Sequence, residues 1–272
     1  MPSESQPNEP PTHLTPSALG NKSYWSDIYK RDLANHESTP DEIGAVWFDD
    51  SDAESKVLSY LISLAEDQGT NSRSTGEIDK DKTTFLDLGT GNGHMLFELR
   101  EGGFSGPMVG VDYATESVEL ARRIASEEDV EDTDLRFECW DIMASGSSSD
   151  RNNGLPEWVP RCAEATRGSG FDVLLDKGTF DAISLSEETD AAGRRICEAY
   201  PEKVKRLMRR DGLLIVTSCN WTEQELIRWF EKDEEEESGH LVTHGRIPYR
   251  QFGFGGQVGQ TVSSVVFRKE GG

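Results

Sequence analysis

One run constrains this chain more than any other: Asp87-Leu88-Gly89-Thr90-Gly91-Asn92-Gly93, at the end of the apolar stretch Thr83–Leu88. Three glycines at alternate positions let the backbone turn tightly and bring main-chain N–H groups close to a ligand at a helix start. The stretch Gly93–Glu101 reads as that helix. A strand that turns through glycines into a helix opens a doubly wound α/β sheet, whose ligands sit in the crevice beyond the strand ends.

The rest of the chain continues the alternation. Pro107–Asp112, Leu135–Trp140, Phe171–Asp176 and Leu213–Ser218 read as further strands. Between them, Ser117–Ser126 sets Val118, Ala121 and Ala125 on one helical face. Pro201 opens a helix that carries Val204, Leu207 and Met208 and stops at Asp211-Gly212. Thr222 caps Glu223–Phe230, with Glu225 at the capping-box position. His240–Tyr249 and Thr261–Arg268 are consecutive strands joined by a glycine-rich link. The expected fold is therefore α/β, a doubly wound, mostly parallel seven-stranded sheet with an antiparallel C-terminal edge hairpin.

Length agrees with one domain: 272 residues, read as a disordered tail over 1–20 and a single domain over 21–270. Polar, breaker-rich inserts are expected near 69–82, 144–170 and 232–239. No apolar run approaches the roughly 20 residues of a membrane span, and the first twenty residues lack the pattern of a secretory signal. Cys139, Cys162, Cys197 and Cys219 show neither a CxxC nor a metal-like pairing with His, so no metal is expected and a reducing, cytoplasmic setting is. The formal charge is −23. Such a balance disfavours a phosphate backbone as partner, because nucleic-acid binding runs on Lys and Arg, and suits a basic protein. Most of it lies in three acidic runs, 41–55, 116–134 and 231–237.

The glycine turn also carries chemical information. A nicotinamide site asks for G-x-G-x-x-G, whereas this chain has G-x-G-x-G with Asp87 two residues before the first glycine. A carboxylate there repels a pyrophosphate and suits the sulfonium and α-ammonium of S-adenosylmethionine. Asp112, nineteen residues beyond Gly93 and at the end of the second strand, can accept both hydroxyls of a ribose. Asp141 follows the third strand in Trp140-Asp141-Ile142. Together these residues mark a methyl-donor site.

FLDLGTGNGHML, VGVDYA, WDI, DVLLDKGTFDAISLS and LLIVTSCNWT resemble the class I, seven-strand methyltransferases. More narrowly, they resemble the eukaryotic protein-lysine methyltransferases that modify translation elongation factor 1-alpha. The likeness includes Tyr24–Tyr29, Val46-Trp47-Phe48 and Phe252–Gly256, and spans about 25–268. It implies that Gly89, Gly91 and Gly93, with Asp87, surround the methionine part of the cofactor. Asp112 would hold the ribose, Tyr113 would pack beside the adenosine, and Asp141 with Ile142 would meet the adenine. Trp25 and Tyr29 would close over the cofactor. Asp176-Lys177 would flank the transferred methyl. A (D/N)-P-P-(Y/F) motif is missing at that position, which lowers the odds of nucleic-acid or glutamine methylation.

The expected activity is thus S-adenosylmethionine-dependent methylation of a lysine, with elongation factor 1-alpha as the protein partner. Asp176 is the first candidate to orient the amine, with Asp181 and Asn220 behind it, and capping of the strand end is its alternative role. Lys177 is expected to pair with a carboxylate, and His94 to lie on a helix surface. A small-molecule methyltransferase on the same fold and a non-catalytic adaptor are the competing readings.

Overall fold

The computed structural model describes residues 11–66, 78–127, 134–144, 155–161, 168–231, 239–250, 252–254 and 257–271. Two helices, α1 (Lys22–Ser38) and α2 (Ala53–Glu66), precede the sheet. Then come β1 (Phe85–Leu88), α3 (His94–Glu101), β2 (Met108–Asp112), α4 (Thr115–Glu127) and β3 (Leu135–Cys139). The second half holds β4 (Phe171–Lys177), α5 (Thr179–Ser184), α6 (Tyr200–Lys205), β5 (Met208–Ser218) and α7 (Glu223–Phe230). It ends in β6 (His240–Ile247), β7 (Phe252–Phe254), β8 (Gln257–Gly259) and β9 (Ser263–Glu270).

Seven strands form one sheet in the order β3-β2-β1-β4-β5-β9-β6. The first five pair in parallel, and β9 runs antiparallel to both β5 and β6. The expected fold class is the one observed, with β9 inserted between β5 and the edge strand β6. β7 and β8 make a separate two-stranded ribbon within the glycine-rich link.

Side chains alternate across a strand, and here each side meets a different core. Phe85, Val173, Leu175, Leu213 and Ile215 join Val57 and Leu61 of α2, Leu96 and Leu99 of α3 and Val118 of α4. Leu86, Leu88, Leu174, Leu214 and Val216 face the other way, toward Phe180 of α5, Tyr200 and Val204 of α6 and Trp229 and Phe230 of α7. Both faces are covered, which is why the central strands read as almost unbroken apolar runs. Thr222 caps α7 as expected, with Glu225 N–H on the Thr222 hydroxyl and Thr222 N–H on Glu225 Oε2.

Three expectations need adjustment. The helix begun at Pro201 ends at Lys205, and β5 starts at Met208 rather than Leu213. Arg209 pairs with Asp172 of β4, and the irregular register between Phe171 and Val173, with Asp211 at φ +62°, absorbs the extra residues. Residues 11–20 are packed rather than a free tail: Leu14 lies against the α5–α7 core and Ser17 N–H reaches Leu185 O at 3.1 Å, while 1–10 lie outside the described residues. In the 144–170 insert, Trp158 packs on Trp140 and Phe171 and Val159 is buried. The remainder of that insert, and most of those at 69–82 and 232–239, fall outside the described residues.

Candidate active site

The strand order reverses direction between β1 and β4, and a cleft opens there at the C-terminal ends of the parallel strands, where such sheets bind ligands. Gly89, Thr90, Gly91 and Asn92 line it after β1 and Asp112 and Tyr113 after β2. Trp140–Met143 follow β3, Gly178 and Thr179 follow β4, and Cys219 and Asn220 follow β5.

The glycines of the turn have different tasks. Gly89 and Gly91 are left-handed, at φ +67° and +59°, which bars most side chains. A Cβ on Gly89 would stand 2.1 Å from Thr179 Oγ1, and one on Gly91 2.7 Å from the Tyr29 hydroxyl. Thr179 Oγ1 donates to Leu88 O at 2.6 Å, tying the turn to the start of α5. Gly93 does not line the cleft. A Cβ there would meet the Phe137 and Phe97 rings, so its bareness lets α3 begin tight against β3.

The acids separate in the same way. Asp112 lines the cleft, accepting the N–H of Gly91 at 3.2 Å and of Ala114 at 2.9 Å; burial pushes its carboxyl up to about 6. Asp141 and Ile142 also line it. Asp87 lies behind the turn, accepts from Thr90 Oγ1 at 2.7 Å, and is pushed by burial up to about 7. Asp87 is absent from the cleft lining, which its hydrogen-bond partner Thr90 joins.

Asp176 takes the capping position given above as its alternative role. It is 1% exposed and absent from the cleft lining. Its carboxylate accepts the N–H groups of Thr179 (2.9 Å) and Phe180 (3.1 Å) at the start of α5 and the Tyr200 hydroxyl (2.6 Å). Burial holds its carboxyl up at about 7. Of the two contiguous residues, Lys177 faces the cleft and pairs with Glu54 of α2 at 3.3 Å. Glu54 also meets His94 Nδ1 at 2.6 Å, so His94 is half-buried in an ion network behind the turn. Burial raises the Glu54 carboxyl, but the His94 hydrogen bond and the Lys177 charge outweigh it and leave it below the usual range.

Further residues, some of them expected, complete the walls. Asp181 of α5 lines the cleft, held by Ser218 Oγ at 2.5 Å and Cys219 N–H at 2.9 Å. Overhead, α1 contributes Lys22, Trp25 and Tyr29. Lys22 Nζ meets Asp141 Oδ2 at 2.5 Å, and Trp25 Nε1 donates to Leu19 O at 2.7 Å. Trp25 packs edge-on against Trp47, with centroids 5.1 Å apart, and Phe48 is held at φ +66° beside the Gly178 turn. A positive φ at a bulky residue is costly, and here it places the ring on the cleft. Lys22 carried no signal in the sequence, whereas Thr90 lies in the glycine run and Thr179 and Asp181 lie in the DKGTFDA run.

S-adenosylmethionine fits these walls. The bare turn offers main chain where any Cβ would be blocked, and two carboxylates stand at one end. Among the described residues, the basic side chains on the lining are Lys22 and Lys177, already paired with Asp141 and Glu54, which leaves no free cation there for a pyrophosphate.

Comparison with known proteins agrees. The family described as "Methyltransferase domain" matches residues 79–256. The chain is 37% identical over 257 residues to the Saccharomyces cerevisiae protein-lysine N-methyltransferase EFM4, covering 94% of this chain and 97% of that one. It is 32% identical to the Danio rerio EEF1A lysine methyltransferase 2 and 30% to that of Homo sapiens, over 94% of this chain and 90% and 89% of theirs. Among solved structures, the [4+2]-cyclase SpnF superposes with a TM-score of 0.55 at 12% identity, over 96% of this chain and all of that one. Magnesium protoporphyrin IX methyltransferase from Synechocystis PCC 6803, with bound SAM, gives 0.50 at 12% identity, over 90% and 98%. Likeness at that level speaks for the fold alone. The chain belongs to the class I methyltransferases, in the family that holds yeast EFM4 and the vertebrate EEF1A lysine methyltransferases 2, and S-adenosylmethionine is its methyl donor.

Proposed function

We propose that this enzyme transfers methyl groups to a lysine of translation elongation factor 1-alpha. The observation that carries the reading is end-to-end similarity to relatives named for that reaction, joined to an intact cleft. The charge of −23 supports a basic protein surface as partner. Among the described residues no helix is long and apolar enough to cross a membrane, and the cytoplasm, where translation takes place, is the proposed location.

The lining supports these roles for the cofactor when bound: Asp112 would accept the ribose hydroxyls, Tyr113 would lie beside the adenosine, and Asp141 and Ile142 would meet the adenine. Gly89 and Gly91 would offer main chain to the methionine part, with Asp87 behind them, and Trp25 would cover the cofactor from α1. When bound, the cofactor supplies an electrophilic methyl on a sulfonium. The protein then has to align an amine lone pair with that methyl and strip water from the path. Trp25, Trp47 and Phe48 form an aromatic wall suited to excluding that water.

The test is incubation with labelled S-adenosylmethionine and a lysate from cells lacking this protein. A single labelled band identified as elongation factor 1-alpha is the expected result. Label appearing in RNA or in a free metabolite, with that band blank, would refute the proposal.

A further inference from the structure

We infer that Asp181, and not Asp176, is the carboxylate that receives the substrate amine, an assignment that rests on the proposed lysine methylation. Asp181 lines the cleft and is 5% exposed. Its hydrogen-bond partners are Ser218 Oγ, the N–H and thiol of Cys219 and the side chain of Asn220, all neutral. Lys177 and Lys22, which line the same cleft, are paired with Glu54 and Asp141. Among the described residues Asp181 has no counter-ion; a buried carboxylate in that state is costly, and an ammonium arriving in the cleft supplies one. Ser218 Oγ in turn accepts the N–H groups of Asn220 and Trp221, so the carboxylate is fixed by the turn after β5.

Charge movement in the reaction favours a carboxylate at this place. The amine nitrogen uses its lone pair to form the N–C bond, the S–C bond breaks with its electron pair going to sulfur, and the positive charge passes from sulfur to nitrogen. A fixed negative charge beside the nitrogen stabilises the transition state as that charge grows. The other titratable groups around Asp181 are Asp176 on β4, Lys177, Glu188 and Cys219 on the cleft lining, and Asp50, whose charge reaches Cys219.

The experiment is single-turnover methylation of saturating elongation factor 1-alpha against pH, with calorimetry of S-adenosylmethionine binding. Asp181→Asn should bind the cofactor as wild type does, which also reports that it folds, and lose about 10- to 100-fold in rate. The carboxylate raises the amine's pKa, and only the neutral amine reacts. Removing it should therefore move the midpoint of the acid limb down by about one pH unit. Cys219→Ala, which frees one carboxylate oxygen from the thiol, should move it up, and decides the matter if Asp181→Asn does not fold. An unchanged rate, or a slower rate with an unmoved midpoint, leaves Asp181 a structural tie and overturns the inference. A wild-type enzyme that methylates no lysine of the factor overturns the proposed function, and this assignment with it.

Discussion

Asp112 and Asp176 both end a parallel strand, yet their side chains do opposite things. Asp112 keeps its carboxylate on the cleft, beside the Gly91 N–H. Asp112→Ala should weaken S-adenosylmethionine binding by up to about a hundredfold, as calorimetry can measure, and regain most of its rate at saturating cofactor. Asp176→Ala should instead unfold more easily in urea, by about 1–3 kcal/mol, because it strips α5 of its N-terminal acceptor and leaves the buried Tyr200 hydroxyl unpaired. Its rate at saturation should stay near wild type; a large loss there would return Asp176 to the chemistry. The pleat explains why the two strand-end acids differ. Asp176 shares its side of β4 with Leu174 and so points to Tyr200, whereas Lys177 shares the side of Val173 and Leu175 and points to α2. Strand-end position was readable from the sequence, but side depends on register, which is set by partners far away in the chain.

Elements were legible where their burial is apolar and hidden where it is not. β1, β2, β4 and the Leu213–Ser218 part of β5 announced themselves as apolar runs, and α7 by its capping box. α1 did not, because its buried positions are Tyr29, Asp32 and His36, a helical spacing in mixed residue types that apolar periodicity overlooks. The stretch after Pro201 misled differently: Val204, Leu207 and Met208 satisfy a helical period, but pairing with β4 claims Met208. α1 matters because it roofs the cleft. Trp25→Ala removes the ring that packs between Tyr29 and Trp47. Cofactor dissociation, followed by stopped flow, should speed up by about 3- to 10-fold, the worth of one or two aromatic contacts. No change in that rate would mean that the roof packs on α4 without holding the cofactor.

At the scale of the whole molecule, buried carboxylates and net charge set how the protein responds to pH and salt. Burial raises Asp87 and Asp176 to about 7 and Asp112 to about 6, so the folded state holds protons that the unfolded chain has released. Stability from these groups is complete below about pH 4 and lost as pH rises toward 7. The cofactor-free protein should therefore melt at a higher temperature at pH 5.5 than at pH 7.5, and lowering the charge of −23 acts in the same direction. Scanning calorimetry showing a lower Tm at pH 5.5 would contradict this. The acidic surface should also make kcat/KM for the protein substrate fall as salt rises from 50 to about 300 mM, with cofactor affinity little changed. The measurement that bears most directly on the whole account is mass spectrometry of purified elongation factor 1-alpha after incubation with this enzyme and S-adenosylmethionine. Methyl groups on one defined lysine, absent when the enzyme is omitted, are the predicted result; an unmodified factor, with an enzyme that demonstrably binds the cofactor, would contradict it.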